Sequence, residues 1–496
     1  MKQEKSGIQI GKKAFITVAL ILLALMIAAG VLTRIIPAGA FQRAETDGRE
    51  TIVPDSFAYT HETKMPLWRW FTAPVEVLWG PDNAAIIVIA LFILIIGGVF
   101  TLLDKCGMLR WLMCRLAARF QSRRYMLMAL VVFFFMFFGS AFGMFEELIA
   151  LVPIAVMLSY ALGWDSLIGL GMSALAAGFG FASAMLNPFT IGIAQTLAGL
   201  PPFSGVLLRI PIFIMTYVIL VLFIRHHARR LDANPASSLV YSADAPYRAR
   251  YQSGVEAFGD SDNEPAMKRS SILFGVTLIL VILYIIAGLL ANTLLGDAGL
   301  SDIAMPVIAL LFLVGGITSA AASKYSQEEG LLKSILRDFF SGVGGVAPGI
   351  LLILMAMSVK HIVTMGGVMD TILYSASSAI TGLGSNTTIL LMFALVLVLE
   401  FFIGSASAKA FLVIPLIMPL AELVGITRQT AVQAFCFGDG FANMIYPTNA
   451  VLMIALSLTV VSYPKWFRWT WLLQLVMCVL CALMLMGFVA IGYGPY

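Results

Sequence analysis

Charge is what this 496-residue chain has least of. Asp, Glu, Lys and Arg make up 12% of it, about half the roughly 25% of a soluble domain. With 60% hydrophobic residues and a mean hydropathy of +0.94, little polar surface is left for a water-facing domain. The four histidines show no metal-ligand spacing, and the five cysteines make no disulfide framework. Cys478 and Cys481 stand in a C-x-x-C spacing, but inside an apolar run, where they read as small hydrophobes. No P-loop, H-E-x-x-H or G-x-S-x-G occurs, so nothing signals ATP hydrolysis or intramembrane proteolysis. The net charge of +4 is scattered over loops and gives no patch for nucleic acid.

Long apolar runs are present instead. They recur from "AFITVALILLALMIAAGVLT" at 14–33 to the last one near 469–492, the pattern of a polytopic helical membrane protein in contact with lipid. The run at 14–38 is too long, and "IIPAGAF" too weak a cleavage site, for a signal peptide, so residues 1–38 read as a retained first span.

Within these runs a motif order occurs twice. Residues 138–188 carry G-S-A, an apolar helix with proline, a turn at Gly163, a second apolar segment, then G-F-A, Ser183 and Pro188. Residues 403–449 carry G-S-A, a proline-bearing apolar helix, Gly425, a second segment, G-F-A, Asn443 and Pro447. Such self-similarity is the mark of an internal repeat. Charge sets the direction of each copy. Segment 105–124 carries six Lys/Arg, whereas its counterpart 365–387 carries none. By the positive-inside rule the first lies on the cytoplasmic face and the second outside, which predicts inverted repeats.

The arms 126–138 and 145–160 are each too short for a span of about 20 residues, so 126–160 reads as a re-entrant hairpin and 387–423 as its mirror image. Segments 165–200 and 428–463 can cross, but "GFASAMLNP" and "GFANMIYPTN" break them at mid-depth, where freed backbone must face protein or a polar cavity. The expected fold is an all-α polytopic membrane protein. It has an external polar loop and interfacial segment at 39–83, repeat 1 at 84–228, a cytoplasmic linker at 229–268, two spans in 269–322, and repeat 2 at 323–496. The N-terminus is placed in the cytoplasm and the C-terminus outside. This puts 22 of the 31 Lys/Arg inside, eight (Arg209 among them) outside, and Lys409 alone in the membrane.

Inverted repeats with broken helices point to a secondary transporter with a central site. Near the breaks stand Ser140, Ser183, Asn187 and Thr190 in the first copy, and Ser405, Ser407, Asn443, Thr448 and Asn449 in the second. Their neutral oxygens suit substrate, the caps of broken helices, or Na⁺; Ser140, Ser183, Asn187, Ser405, Ser407 and Asn449 are the candidate cation ligands. Each buried charge costs roughly 2.5–3.5 kcal/mol on insertion scales, so Glu146, Glu147, Lys409 and Asp439 need a polar centre. Overlaying Gly139 on Gly404 makes Lys409 and one of the glutamates candidate partners. Two glutamates and an aspartate against one lysine favour a cationic or zwitterionic guest, or coupling cations, over a dianion. A channel and an intramembrane enzyme are the other classes; saturable counterflow excludes a simple pore, and no nucleophile–base or metal constellation supports an enzyme.

"FGMFEE", "GFASAMLNPF", "GITRQTAV", "FGDGF" and "MIYPTN" resemble the signatures of the YfcC branch of the C4-dicarboxylate anaerobic carrier (DcuC-like) family, in the ion transporter superfamily. That resemblance, along almost the whole chain, implies a dimeric elevator whose hairpins and broken helices carry substrate and usually Na⁺. Ser140 and Asn187, and Ser405 with Thr448 and Asn449, then fall where tips and breaks form the sites. The family name implies dicarboxylates, and this branch is also described as exchanging basic amino acids, arginine and ornithine. The resemblance implies a bacterial inner-membrane location. It leads to an expected Gln where this chain has Lys409, whose fixed ammonium would then stand in for one coupling Na⁺.

Overall fold

The computed structural model describes residues 12–46, 49–53, 56–60, 65–80, 83–201, 203–252, 264–295, 303–323, 330–380 and 382–494. The basic residues Lys2, Lys5 and Lys324, assigned above to the cytoplasm, lie outside them, as does Lys64 of the external loop. Among the described residues, ten helical segments are long and apolar enough to cross a membrane. The chain is predominantly helical because Leu, Ile, Met, Ala and Phe fill its apolar runs, and Gly and Pro gather at their ends.

One set of long helices packs side by side: Lys12–Ile35, Asn83–Lys105, Ala304–Ala322 and Leu331–Met365, with Glu264–Leu295 on Ala304–Ala322. Gly97 and Gly98 let Asn83–Lys105 approach closely, since a Cβ there would lie 2.5 Å from Val346 and Phe339. The second set holds the hairpins and broken helices. Over 126–160, helix Arg124–Phe142 ends at Gly143 (φ +68°), and the chain returns through Glu147–Leu151 and Val152–Ala161. Over 165–200, Ser166–Leu170 and Ala176–Ser183 are joined by a π-turn; the helix then breaks at Ala184–Asn187 and resumes over Pro188–Leu197. Later in the chain, helices Ser385–Glu400 and Ala406–Leu423 flank a tip at 401–405, and Arg428–Ala442 and Ala450–Ser457 flank a break at 443–449. In both parts a left-handed glycine (Gly163, Gly425) precedes a capped helix start, by Asp165 on Ile168 and by Thr427 on Thr430.

The polar loop after the first span departs from the all-α expectation. Gly39–Ala40 pairs with Ala58–Tyr59, and Arg43–Thr46 with Arg49–Ile52, all antiparallel. Asp370 fixes this small sheet region by accepting from Phe41 N at 2.9 Å and from the Arg43 guanidinium at 2.7 Å. Beyond it, helix Arg69–Glu76 buries Trp70 and Ala73 and exposes Phe71 and Val75, with Trp68 before it and Trp79 after it also exposed, a set suited to a membrane interface.

The linker is tied down at its helix Tyr241–Gln252. Asp244 accepts from Tyr160 Oη (2.8 Å), Ser166 N (2.9 Å) and Ser166 Oγ; Tyr251 Oη donates to Asp104 (2.8 Å). Burial, the Ser166 amide opposing it, and the charge of Asp165 leave the Asp244 carboxyl raised to about 6. A raised carboxyl means the docked linker binds a proton that the free linker does not, between the ordinary carboxylate range and pH 6. Docking therefore weakens as pH rises through that window and then levels off. We expect slower tryptic cleavage at Arg248 and Arg250 at pH 5.5 than at 7.5 once trypsin's own pH dependence is normalised, and Asp244→Asn to remove the difference.

Candidate functional site

The two broken helices cross where neither has bulk. A Cβ on Gly440 would lie 2.2 Å from Ala182 Cα, and one on Gly180 2.0 Å from the Met136 carbonyl oxygen. The backbones of Arg428–Ala442, Ala176–Ser183 and the first hairpin thus stack with almost nothing between them. Breaking a helix at such depth frees carbonyls that must be satisfied internally. Arg209 Nε donates to Met185 O at 3.1 Å at the first break, while Trp466 Nε1 and Tyr463 Oη donate to Met444 O and Ile445 O, both at 2.8 Å, at the second. Ala184 sits in the left-handed region at φ 43°, a local strain of the kind that clusters at functional sites.

Each hairpin tip meets the break of its own half. Ser140 Oγ accepts from Met185 N (3.1 Å), and Asn187 Oδ1 caps the resumed helix through Phe189 N and Thr190 N. Gly143 lies against Asn187, with room for no side chain. The Ser183 hydroxyl donates back to Phe179 O. The amide nitrogen of Asn187 and the hydroxyl of Thr190 are buried without a partner. In the other half, Asn449 Oδ1 caps the resumed helix through Leu452 N, and its amide nitrogen donates to Asn443 Oδ1 at 2.5 Å. Ser405 is exposed at the start of Ala406–Leu423, Ser407 is half-buried, and the hydroxyl of half-buried Thr448 has no partner.

The charge pairing differs from the sequence expectation. Lys409 is fully buried and bonded to Glu400 and to Asp439 Oδ1 at 2.7 Å, not to Glu146 or Glu147. Asn449 reaches the same Glu400. The physical reason is the hairpin itself: the 401–405 tip turns the chain back so that residues 400 and 409 face each other. Glu400 was missed, though a lone acid in "LLMFALVLVLEFF" is the signal that picked out Glu146 and Glu147. Those two stand at the first hairpin's return, Glu146 exposed and Glu147 half-buried. Arg209, counted above with the external charges, is also fully buried.

Among the described residues, no three His, Cys, Asp or Glu side chains gather as a metal site. Of the candidate Na⁺ ligands, Ser140 Oγ and Asn187 Oδ1 accept backbone amides in one half, and Asn449 Oδ1 accepts one in the other.

Apolar helices of membrane-crossing length around a buried polar centre define a multi-pass membrane protein. Residues 15–490 match the DcuC family, C4-dicarboxylate anaerobic carriers, and the chain belongs to that family of membrane transporters. It is 29% identical to YfcC of Escherichia coli (strain K12), whose name proposes a basic amino acid antiporter, over 93% of this chain and 94% of that one. An uncharacterized protein of Haemophilus influenzae is 23% identical over 77% of this chain and 71% of its own. Among solved structures, the YdaH transporter of Alcanivorax borkumensis matches with 17% identity and a TM-score of 0.40, covering 97% of this chain and 98% of that one. MtrF of Neisseria gonorrhoeae matches with 16% identity and a TM-score of 0.41, covering 96% and 95%.

Proposed function

We propose that this transporter is a secondary active carrier of amino acids, basic ones foremost, working by exchange or by Na⁺ or H⁺ coupling. Its two halves act as inverted repeats, and the hairpins and broken helices move as an elevator against the other long helices, in a homodimer of the bacterial inner membrane. The carrying observation is the buried cluster at the second break, where two carboxylates, Glu400 and Asp439, face one ammonium, Lys409. Its surplus is negative. Such a centre attracts a guest with a cationic group and repels a bare dianion. The E. coli relative's name points the same way.

Dicarboxylate transport is the second reading, favoured by the family's description. In that reading Lys409 clamps a carboxylate, but its ammonium is already engaged by two acids. Counterflow into proteoliposomes distinguishes the readings. Labelled arginine, ornithine, neutral amino acids and succinate are offered with and without a Na⁺ gradient. Arginine uptake competed by ornithine is the expected result. Succinate uptake with no amino-acid competition overturns it.

A further inference from the structure

Helix Met108–Phe120 has 13 residues, too few for a span of about 20. It buries Met108, Trp111, Met113 and Ala117 and leaves Arg115 and Arg119 exposed, the pattern of a helix lying at a membrane surface. It packs against helix Glu264–Leu295, which is of membrane-crossing length. Between the two runs a groove of about 400 Å³, a volume in the range of ligand sites.

The groove has a cationic side and an apolar one. Arg115, Arg119 and Lys268 line it, together with Trp111, Leu116 and Ile272. Arg115 and Arg119 are four residues apart and share a helix face, as Lys268 and Ile272 do on the other helix. The Arg115 guanidinium lies 5.0 Å from the centroid of the Trp111 ring, which holds it at the groove. Glu264 pairs with Arg115, but the two side chains are 52% and 61% exposed, and exposed pairs hold weakly. Among the described residues Arg119 and Lys268 have no carboxylate partner. The hydroxyl of Ser271, in the groove wall, is buried without a partner and adds a spare donor.

The apolar side continues out of the groove. Ile272, Val276, Ile279 and Leu283 are all exposed, and their spacing of four, three and four residues makes one stripe along the spanning helix. A small soluble anion would use the cations and leave the stripe idle. A molecule with a phosphate head and acyl tails uses both.

We infer that this groove binds an anionic glycerophospholipid of the surrounding membrane, its phosphate held by Arg115, Arg119 and Lys268 and an acyl chain laid along the stripe from Ile272 to Leu283. The arginine forks suit phosphate oxygens and Lys268 adds a point charge; the phosphate takes the place of Glu264 at Arg115. The site is independent of which solute is carried. It joins the surface helix that leads into the first hairpin to one of the long helices outside the hairpin set.

Native mass spectrometry of the delipidated full-length protein in detergent tests this. The protein is titrated with phosphatidylglycerol, with phosphatidylcholine of the same acyl chains, and with soluble glycerol phosphate. Wild type is expected to bind phosphatidylglycerol about tenfold or more tighter than either of the others. The triple variant Arg115→Gln, Arg119→Gln, Lys268→Gln should bring the two lipids within about twofold of each other. Lys268→Gln alone should lose part of the preference, and melting curves check that both variants are folded. A charge-matched control, Arg229→Gln, Arg230→Gln, Arg468→Gln, removes three exposed cations that do not line the groove and should keep the preference. A preference that survives in the triple variant, or falls equally in the control, overturns the inference: the first puts the lipid elsewhere, and the second reduces it to diffuse surface charge. Glycerol phosphate binding as tightly as phosphatidylglycerol also overturns it, since the groove is then a site for soluble anions.

Discussion

Lys409→Met is expected to unfold the protein at markedly lower temperature and to abolish transport. Lys409 is fully buried between Glu400 and Asp439, themselves fully buried. Methionine is one heavy atom shorter and leaves at most a small gap, so the effect is chiefly that of charge. Removing one partner of a buried ion pair leaves an uncompensated charge and costs about 3–5 kcal/mol, a large share of the 5–15 kcal/mol that keeps a typical domain folded. Replacing all three groups by neutral shapes, Lys409→Met with Glu400→Gln and Asp439→Asn, should restore much of the thermal stability and none of the transport. We propose that the ammonium also stands in for a mobile coupling cation. Lys409→Gln should accordingly be destabilised in choline buffer and regain stability in Na⁺, by the mass action of an ion that binds only the folded form. Its uptake should become Na⁺-dependent. Differential scanning fluorimetry in the two salts reads the first effect, and proteoliposome uptake the second. Equal melting temperatures for Lys409→Gln and wild type in both salts would sink the charge argument.

What the sequence disclosed here follows from what chain chemistry writes locally. Gly and Pro at "GFASAMLNP" and "GFANMIYPTN" marked the breaks, and the Asn residues at both places cap the resumed helices. The need of a buried charge for a polar setting singled out Lys409 and Asp439. Partner identity was not legible, because it depends on how a tip closes. A repeat overlay set Lys409 against the first hairpin, whereas the second hairpin folds Glu400 back onto it within its own half. Arg209 was hidden for a related reason: it lies one turn into helix Val206–Ala233, where a sequence reader sees a loop charge, and its partner Met185 belongs to the break 24 residues earlier. The short strands of the external loop, two to four residues each, are too brief for alternation to register.

Gly440→Ala, a change of one methyl group, is expected to reduce transport at least tenfold and to lower thermal stability. The added Cβ would lie 2.2 Å from Ala182 Cα and 2.8 Å from its nitrogen, which are backbone atoms that no rotamer can move away. The two broken helices must separate, and overpacking of this kind costs typically 1–3 kcal/mol. Separation also acts on the site, because Asp439 is the adjacent residue and its bond to Lys409 at 2.7 Å depends on where that helix lies. Small residues at a helix crossing are the usual means of close approach within a membrane, and here they set the distance between the two breaks. Gly487→Ala is the control. It lies in helix Tyr463–Ile491 with nothing within 4 Å of the added carbon, so it should leave uptake unchanged and raise stability slightly, by up to about 0.5–1 kcal/mol. Uptake kinetics and melting curves on the pair check the argument. If Gly440→Ala transported as well as Gly487→Ala, the contact between the breaks would be packing alone, without a part in carrying the guest. A loss confined to Gly440→Ala ties the spacing of the two backbones to the geometry that Lys409 and Asp439 share.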